Sequence, residues 1–186
     1  MHNGAVPRLI MPDMRVHTSF VQAMAEFRAE GRGATGDGST LGRALREYGS
    51  RWHDPAVFAE YVEAVRADAR PQPTRADGMV PCTTLWYVDG DAYLGRLAIR
   101  HSLTPWLLEW GGHVGYDVRP SARRRGHATA MLRAALPVAY ERLGLESVLV
   151  TCDEGNVASR KVIEACGGSY EDLRSGKLRY WVRAAP

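Results

Sequence analysis

Lysine is almost missing from this chain. Of 24 basic residues only Lys161 and Lys177 are lysines, so arginine carries the positive charge, a bias that speaks of genomic composition as much as of function. Cysteine is scarce too. Cys82, Cys152 and Cys166 are odd in number and show no C-x-x-C spacing, which argues against a disulfide framework or a zinc knuckle and for reduced, intracellular thiols. No H-E-x-x-H and no Asp-rich calcium loop is present, so no metal is expected. No G-x-S-x-G elbow supports a serine hydrolase, and Gly126 is followed by His127-Ala128 rather than the Lys-Ser/Thr of a Walker loop. Long apolar runs are absent at the N-terminus, where Arg8, Asp13, Arg15, Glu26, Arg28 and Glu30 interrupt any stretch able to serve as a signal peptide or membrane span. The expectation is a cytoplasmic protein with no membrane partner. No internal repeat or low-complexity tract appears.

What is there is ordinary for a folded chain. The 186 residues, 45% hydrophobic and 24% charged, suffice for one domain (1–186) with a core that needs no disulfide. A net charge of +3 is mildly basic and does not by itself call for nucleic acid.

Taken in order, Arg8 to Met11 reads as a first strand stopped by Pro12, and Asp13 as the cap of a helix running to about Glu30, with Val16, Phe20, Met24 and Phe27 on its core face. Gly31 to Thr40 is a glycine-rich loop, Leu41 to Tyr48 a short helix, and Asp54-Pro55 the start of another that Pro71-Gln72-Pro73 ends. Thr83 to Val88, the turn Asp89-Gly90-Asp91, and Ala92 to His101 make a hairpin, and Gly112 to Val118 a third neighbouring strand. Ala128 to Ala139 is helical up to a stop at Gly144, with Pro137 bending its last turns. Ser147 to Thr151 is too continuously apolar to have a wet face and belongs in the middle of a sheet. Asn156 caps a helix from Val157 to Cys166, and a hairpin turning at Ser175-Gly176 closes the chain. The fold class is α/β (α+β): a mixed, mostly antiparallel central sheet of about six to seven strands with helices on both faces.

The chemistry gathers between Tyr116 and Thr129. A strand, a basic glycine-containing turn and a helix follow one another, and the first turn of a helix leaves N–H groups unpaired at the positive end of its dipole. Gly126 removes the side chain that would keep an anion away, and Arg123, Arg124 and Arg125 add positive charge. Alone this turn could equally be a solvated arginine cluster over a helix start. However, Arg123 to Ala128 fits the pyrophosphate-loop pattern Arg/Gln-x-x-Gly-x-Gly/Ala, and Asn156-Val157-Ala158-Ser159 opens a second helix that ends in Gly167-Gly168. Two motifs in this order resemble the GNAT superfamily of acetyl-CoA-dependent N-acyltransferases, closely from Trp86 to the C-terminus and loosely in the N-terminal third.

The resemblance implies acetyl-CoA as co-substrate, a coenzyme-binding core over residues 112–168, and an N-terminal third that lines the acceptor side. The strand before the loop would splay from its neighbour and offer backbone groups of Tyr116 and Val118 to the pantetheine arm, the Val118 N–H being placed to polarise the thioester carbonyl. The pyrophosphate would sit on the N–H groups of Arg124, Gly126 and Ala128, in a loop that runs on to Thr129, with Arg123 and Arg125 side chains in reach. His127 would face solvent or the adenine. Asn156 would contact the pantetheine arm and also cap its helix, and Ser159 would lie near the sulfur. Many relatives carry a tyrosine further along that helix as the acid for the thiolate, but here the matching residue is Ile163. Ser159, or a water that it holds, is therefore expected to supply the proton.

For the base, Glu109 and His113 flank the start of the strand where relatives place a carboxylate. Glu109 comes first, since it would also attract a cationic amine, although an exposed loop charge is an equal reading of it. Asp117 points to the face opposite Tyr116, so only one of the two can face the cleft. Arg100 and His101 line the acceptor pocket or its rim. The resulting expectation is acetyl transfer to a small-molecule primary amine; a homodimer would be in keeping with relatives. The alternatives are a coenzyme A-binding sensor without turnover, a protein N-terminal or lysine acetyltransferase, and a basic nucleic-acid-binding module.

Overall fold

The computed structural model describes residues 6–71 and 78–184. The short run Arg8–Ile10, with Leu9 and Ile10 apolar, makes strand β1, and the two β-branched and aromatic runs after the helices make β2 (Cys82–Asp89) and β3 (Ala92–Arg100). Strand β4 (Val114–Val118) begins two residues later than the sequence suggests, because Gly111 ends a wide turn (Leu107–Gly111) closed by the Gly112 N–H on the Leu107 carbonyl. Strands β5 (Ser147–Asp153), β6 (Ser169–Arg174) and β7 (Lys177–Arg183) complete a seven-stranded sheet in the order β1-β2-β3-β4-β5-β7-β6. All neighbours are antiparallel except β4 and β5. The expected central position of Ser147 to Thr151 is met.

Helices cover both faces. Asp13 accepts a hydrogen bond from the Arg15 N–H and opens a 3-10 turn that runs into α1 (His17–Ala29). Ser39 caps α2 (Thr40–Glu47), and Asp54 caps α3 (Pro55–Ala67), with Pro55 taking the first helical position where its missing N–H does no harm. Gln72 and Pro73 lie outside the described residues. These helices and the 3-10 turn Gly49–His53 between α2 and α3 bury Phe20, Phe27, Trp52, Phe58 and Tyr61 against Trp86 and Tyr93 of the sheet. Phe20 sits at the centre, with ring centroids 5.1 Å from both Trp52 and Trp86. On the opposite face α4 (His127–Pro137) and α5 (Val157–Ala165) bury Met131, Leu132 and Ile163 against Leu97, Ile99, Val150 and Tyr180.

The helix begun at His127 does not stay α-helical to Gly144. Pro137 has no N–H to return to the preceding turn, and the chain continues as a wider turn over Val138–Arg142, where the Leu143 N–H bonds to the Val138 carbonyl. No helix among the described residues is long and apolar enough to cross a membrane.

The loop between α1 and α2 is held by charge. Arg32 donates to Asp37 (3.0 Å), to Ser39 (2.9 Å) and, across the fold, to Asp117 of β4 (3.1 Å). Asp37 in turn accepts from the N–H groups of Gly33 and Ser39. Partial burial works against its charge, but the hydrogen bonds from Ser39, Gly33 and Arg32 outweigh it and hold the carboxyl far below the usual range. A depressed folded-state pKa gives stability that is full above the unfolded value and is lost as pH falls through the folded one. Asp37→Asn should therefore lower stability at neutral pH by about 1–3 kcal/mol. The gap to wild type should narrow on acidification below the ordinary carboxyl pKa of 3.8, which chemical unfolding at stepped pH will measure.

Candidate active site

The turn after β4 forms an open cradle. After a short 3-10 turn (Pro120–Ala122) the chain passes through Arg124, whose φ of 63° is left-handed, and Gly126, at φ 79°. Gly126 precedes α4 without any side-chain cap, so the N–H groups of the first helical turn point into free space. A Cβ built on Gly126 would meet nothing within 4 Å, so the cradle is bare where an anion would sit. A cavity of about 520 Å³ opens here, lined by Tyr116, Val118, Arg123, Arg124, Gly126, His127, Ala128 and Thr129 from this segment and by Asn156 and Ser159 from α5. The structure thus brings ten of the sequence-derived binding residues to one cavity. Arg125 lies outside its lining.

The arginine triplet does not act as one patch. The Arg123 guanidinium spans both carboxylate oxygens of Glu30 at 2.7 and 2.8 Å, and its Nε donates to the Val118 carbonyl at 3.0 Å. The expectation that Arg123 reaches a phosphate with its side chain is thereby corrected: the residue ties the loop to α1. Glu26, one turn earlier on α1, does the same for Arg119, and it also accepts from the Ser121 N–H and hydroxyl, both at 2.9 Å. Although partial burial opposes its charge, the hydrogen bonds from Arg119 and Ser121 keep the Glu26 carboxyl below its usual range. Arg124 and Arg125 make no ion pair among the described residues. Neither Glu26 nor Glu30 was found by sequence reasoning, and the only available signal was their i,i+4 spacing on one helix face.

The floor of the cavity is a hydroxyl pair. Tyr116 Oη lies 2.9 Å from Ser159 Oγ. Burial pushes the Tyr116 phenol up to about 12 against the opposing hydrogen bond from Ser159, so it stays protonated at neutral pH. Asn156 caps α5, accepting from the Ser159 N–H at 3.0 Å and so fixing the residue that meets the phenol. Ile163 is wholly buried in the core beneath. At the cavity edge the His127 ring lies 5.6 Å from that of Tyr87. Burial and the charge of Arg125 lower its pKa and favour the neutral ring.

Strands β4 and β5 pair at one position only, Val114 with Val150. The Arg100 N–H bonds to the His113 carbonyl and the Arg119 N–H to the Leu94 carbonyl, so antiparallel alternation turns the N–H and C=O of Tyr116 and the N–H of Val118 away from β3, towards the gap. The splay implied by the resemblance is present.

The two candidate bases fare differently from the cradle. His113 is buried at the β4–β5 seam, and its Nδ1 accepts the Leu149 N–H at 2.9 Å, while its own N–H bonds to the Leu149 carbonyl at 2.7 Å. Burial, aided by the charge of Arg100, pushes the imidazole down to about 4. A neutral ring with Nδ1 occupied carries its proton on Nε2, so no lone pair is left for an amine proton. The expected base role of His113 is corrected to a structural one. Glu109 sits on the Leu107–Gly111 turn, ion-paired with Arg174 at 2.9 Å, and lines neither this cavity nor the one on the opposite face. Asp117 points away from Tyr116, as alternation requires, and pairs with Arg32. Of the two residues ending β3, Arg100 lines a second cavity on that face and His101 meets Thr83 at 2.8 Å. Among the described residues no cluster of three or more His, Cys, Asp or Glu could hold a metal ion.

The family model described as an acetyltransferase (GNAT) domain matches residues 39–169. No match is found among curated protein sequences. Among solved structures, Mycobacterium smegmatis RimJ in complex with CoA-disulfide superposes with a TM-score of 0.64 at 19% identity, covering 96% of this chain and 81% of that one. The microcin C7 self-immunity acetyltransferase MccE, in complex with acetyl-CoA and AMP, gives 0.62 at 11% identity over 96% and 92% of the two chains. The ribosomal-protein-S5-alanine acetyltransferase from Vibrio fischeri gives 0.60 at 13% identity over 95% and 91%. At such identities the likeness is one of fold.

The seam can be tested at His113. Replacing it by Phe strands the buried Leu149 N–H, and the variant should lose about 1–3 kcal/mol of stability in denaturant titration. Because burial pushes the folded imidazole down to about 4 from the ordinary 6.5, the wild-type protein should also lose stability as pH falls from 6.5 towards 4, a slope that the Phe variant should lack.

Proposed function

This chain belongs to the GNAT acetyltransferase family, and from there we propose that it transfers the acetyl group of acetyl-CoA to a primary amine of a small molecule by direct attack in a ternary complex. The observation that carries the reading is the continuity of one cavity from the uncapped start of α4 to the Tyr116–Ser159 pair. The residues present fit the coenzyme: free N–H groups at Ala128 and Thr129 and the side chains of Arg124 and Arg125 suit a pyrophosphate, and the gap-facing groups of Tyr116 and Val118 suit an amide-containing arm. Acetyl-CoA supplies the activated acyl group.

The protein's own contribution is position and protons. The Val118 N–H, aimed into the gap, is suited to the oxygen on which negative charge develops, a contact typically worth on the order of 3 kcal/mol of barrier. As the C–N bond forms the amine loses a proton, and as the C–S bond breaks the thiolate gains one. Ser159 hands a proton to the sulfur and draws another along its hydrogen bond with Tyr116. The phenol then regains a proton from the water that received the amine's, so Tyr116 ends neutral and the protons balance. In this reading Tyr116 brings from β4 the hydroxyl that Ile163 does not bring from α5. That weakens the case for a sensor without turnover, which rested on the missing tyrosine.

The solved neighbours include acetyltransferases named for a microcin and for ribosomal proteins. A second cavity of about 450 Å³ on the acceptor side is of a size that suits a small molecule. With His113 neutral and occupied and Glu109 paired, the amine loses its proton to water, so it must arrive uncharged.

Two experiments test this. In thermal shift, acetyl-CoA at about a hundred times its Kd should add about 2.7 kcal/mol of apparent stability to the wild type. Gly126→Glu, which puts a carboxylate in the cradle at a left-handed position, should show no such shift. A wild type without a shift would sink the proposal. In turnover read by thiol release, Ser159→Ala and Tyr116→Phe should each lower kcat by about 100-fold or more with the acetyl-CoA shift retained, in line with the usual worth of a proton donor. Unchanged kcat in both would remove the relay.

A further inference from the structure

The sheet face opposite the cradle holds the second cavity, and its charges do not balance locally. Its lining combines the start of α2 (Ser39, Thr40, Arg43), the end of β2 (Cys82, Thr84), Arg100 at the end of β3, and the apolar side chains of Met79, Trp106 and Leu107. The Arg43 side chain makes no hydrogen bond or ion pair among the described residues. Arg100 spends Nη1 on the carbonyls of Gly111 and Gly112, at 3.0 and 3.1 Å, and its Nε and Nη2 have no partner among them. Burial, together with the fields of Arg96 and Arg43, lowers the Arg100 pKa, which marks a cation crowded by cations. The one acidic residue of the lining, Asp68, already has partners of its own.

The same cavity meets the sheet at Cys82, Thr84 and Arg100. Thr84 pairs with Ala98, and Ala98 with Gly115 of β4, so these three lie in a row across one face. Their small side chains leave that face low, and a Cβ built on Gly115 would meet nothing within 4 Å. The cavity wall at Thr84 is thus two strands away from β4, the strand that lines the cradle.

We propose that the acceptor amine also carries an anionic oxygen group, a carboxylate or a phosphate, which Arg43 and Arg100 hold in this cavity while Trp106 and Met79 cover an apolar body. This rests on the acyltransferase reading and names its acceptor class. Trp106 and Met79 are 62% and 45% exposed, which leaves apolar surface at the mouth for a ligand to cover. The guanidinium fork suits a planar carboxylate or a phosphate.

The test uses the full chain with saturating acetyl-CoA and reads thiol release from a panel of primary amines. Free α-, β- and ω-amino acids, some with aromatic side chains, are each compared with their primary amides, and phosphoethanolamine is compared with ethanolamine. The anionic member of a pair should have the higher kcat/KM by about 10–100-fold, the usual weight of a charge-assisted contact. Arg43 is exposed on α2, so Arg43→Gln should fold, which an intact acetyl-CoA thermal shift will check. It should cut the anion-to-neutral ratio by about tenfold through the KM of the anionic amine, and Arg43→Lys should recover part of it. Preference for phosphate over carboxylate would identify the anion within the same site. Equal turnover of acids and amides, a ratio untouched by Arg43→Gln, or better turnover of peptide N-termini than of any free anionic amine would overturn the inference. A missing acetyl-CoA shift in the wild type would instead strike the acyltransferase reading.

Discussion

Everything that this fold can do as a catalyst depends on hydrogen bonds that β4 and β5 do not make with each other. They pair at Val114 and Val150, and from there the ladder opens. Unpaired backbone groups are costly inside a protein, so a sheet that leaves them in its middle needs a ligand or water to meet them. The gap-facing groups of Tyr116 and Val118 are thus matched to an extended, amide-rich partner. The narrow end of the gap is closed by other means: the His113 ring takes the Leu149 N–H, and Gly112, at φ 60°, lets the chain pass within 2.6 Å of the Leu149 carbonyl, measured from where a Cβ would stand.

Holding one side of such a gap requires anchors from outside the sheet. Helix α1 and the loop after it supply them on both flanks of β4. Glu26 and Glu30 fasten the turn beyond its end, and Arg32 fastens Asp117 on the acceptor face. Through Asp37 and Ser39 the same Arg32 sets the start of α2, which borders the second cavity. Strand β4 and the loop before α2 are thereby joined by one guanidinium. That linkage gives a physical reason for the arginine-rich composition, since a planar group with five donors can bridge three partners where an ammonium would hold fewer in a fixed geometry.

Local patterns were readable wherever a residue acts on its own neighbourhood. Asp54 and Asn156 cap the helices that they were expected to cap, Asp13 caps the 3-10 turn that leads into α1 rather than α1 itself, and the Ser175-Gly176 turn closes its hairpin with both residues at positive φ. The cradle was readable too, because its chemistry resides in backbone N–H groups of one short segment. The roles of side chains were less readable. Arg123 looks like a phosphate ligand until Glu30 is seen beside it, and His113 looks like a base until its Nδ1 is found occupied.

By itself, then, the sequence determined the order and type of the elements, the mostly antiparallel α/β class and the place of the anion loop. All of these follow from periodicity, caps and turns within a few residues of one another. Only the tertiary structure decided which arginines are free and which are spent, that Tyr116 meets Ser159, and that Arg43 and Arg100 share a cavity. Those outcomes depend on groups 43 to 93 positions apart in the chain, such as Tyr116 with Ser159 and Arg123 with Glu30. Whether a charge binds a ligand or a neighbour is settled by the distance to its nearest counter-charge, and that distance exists only once the chain has folded.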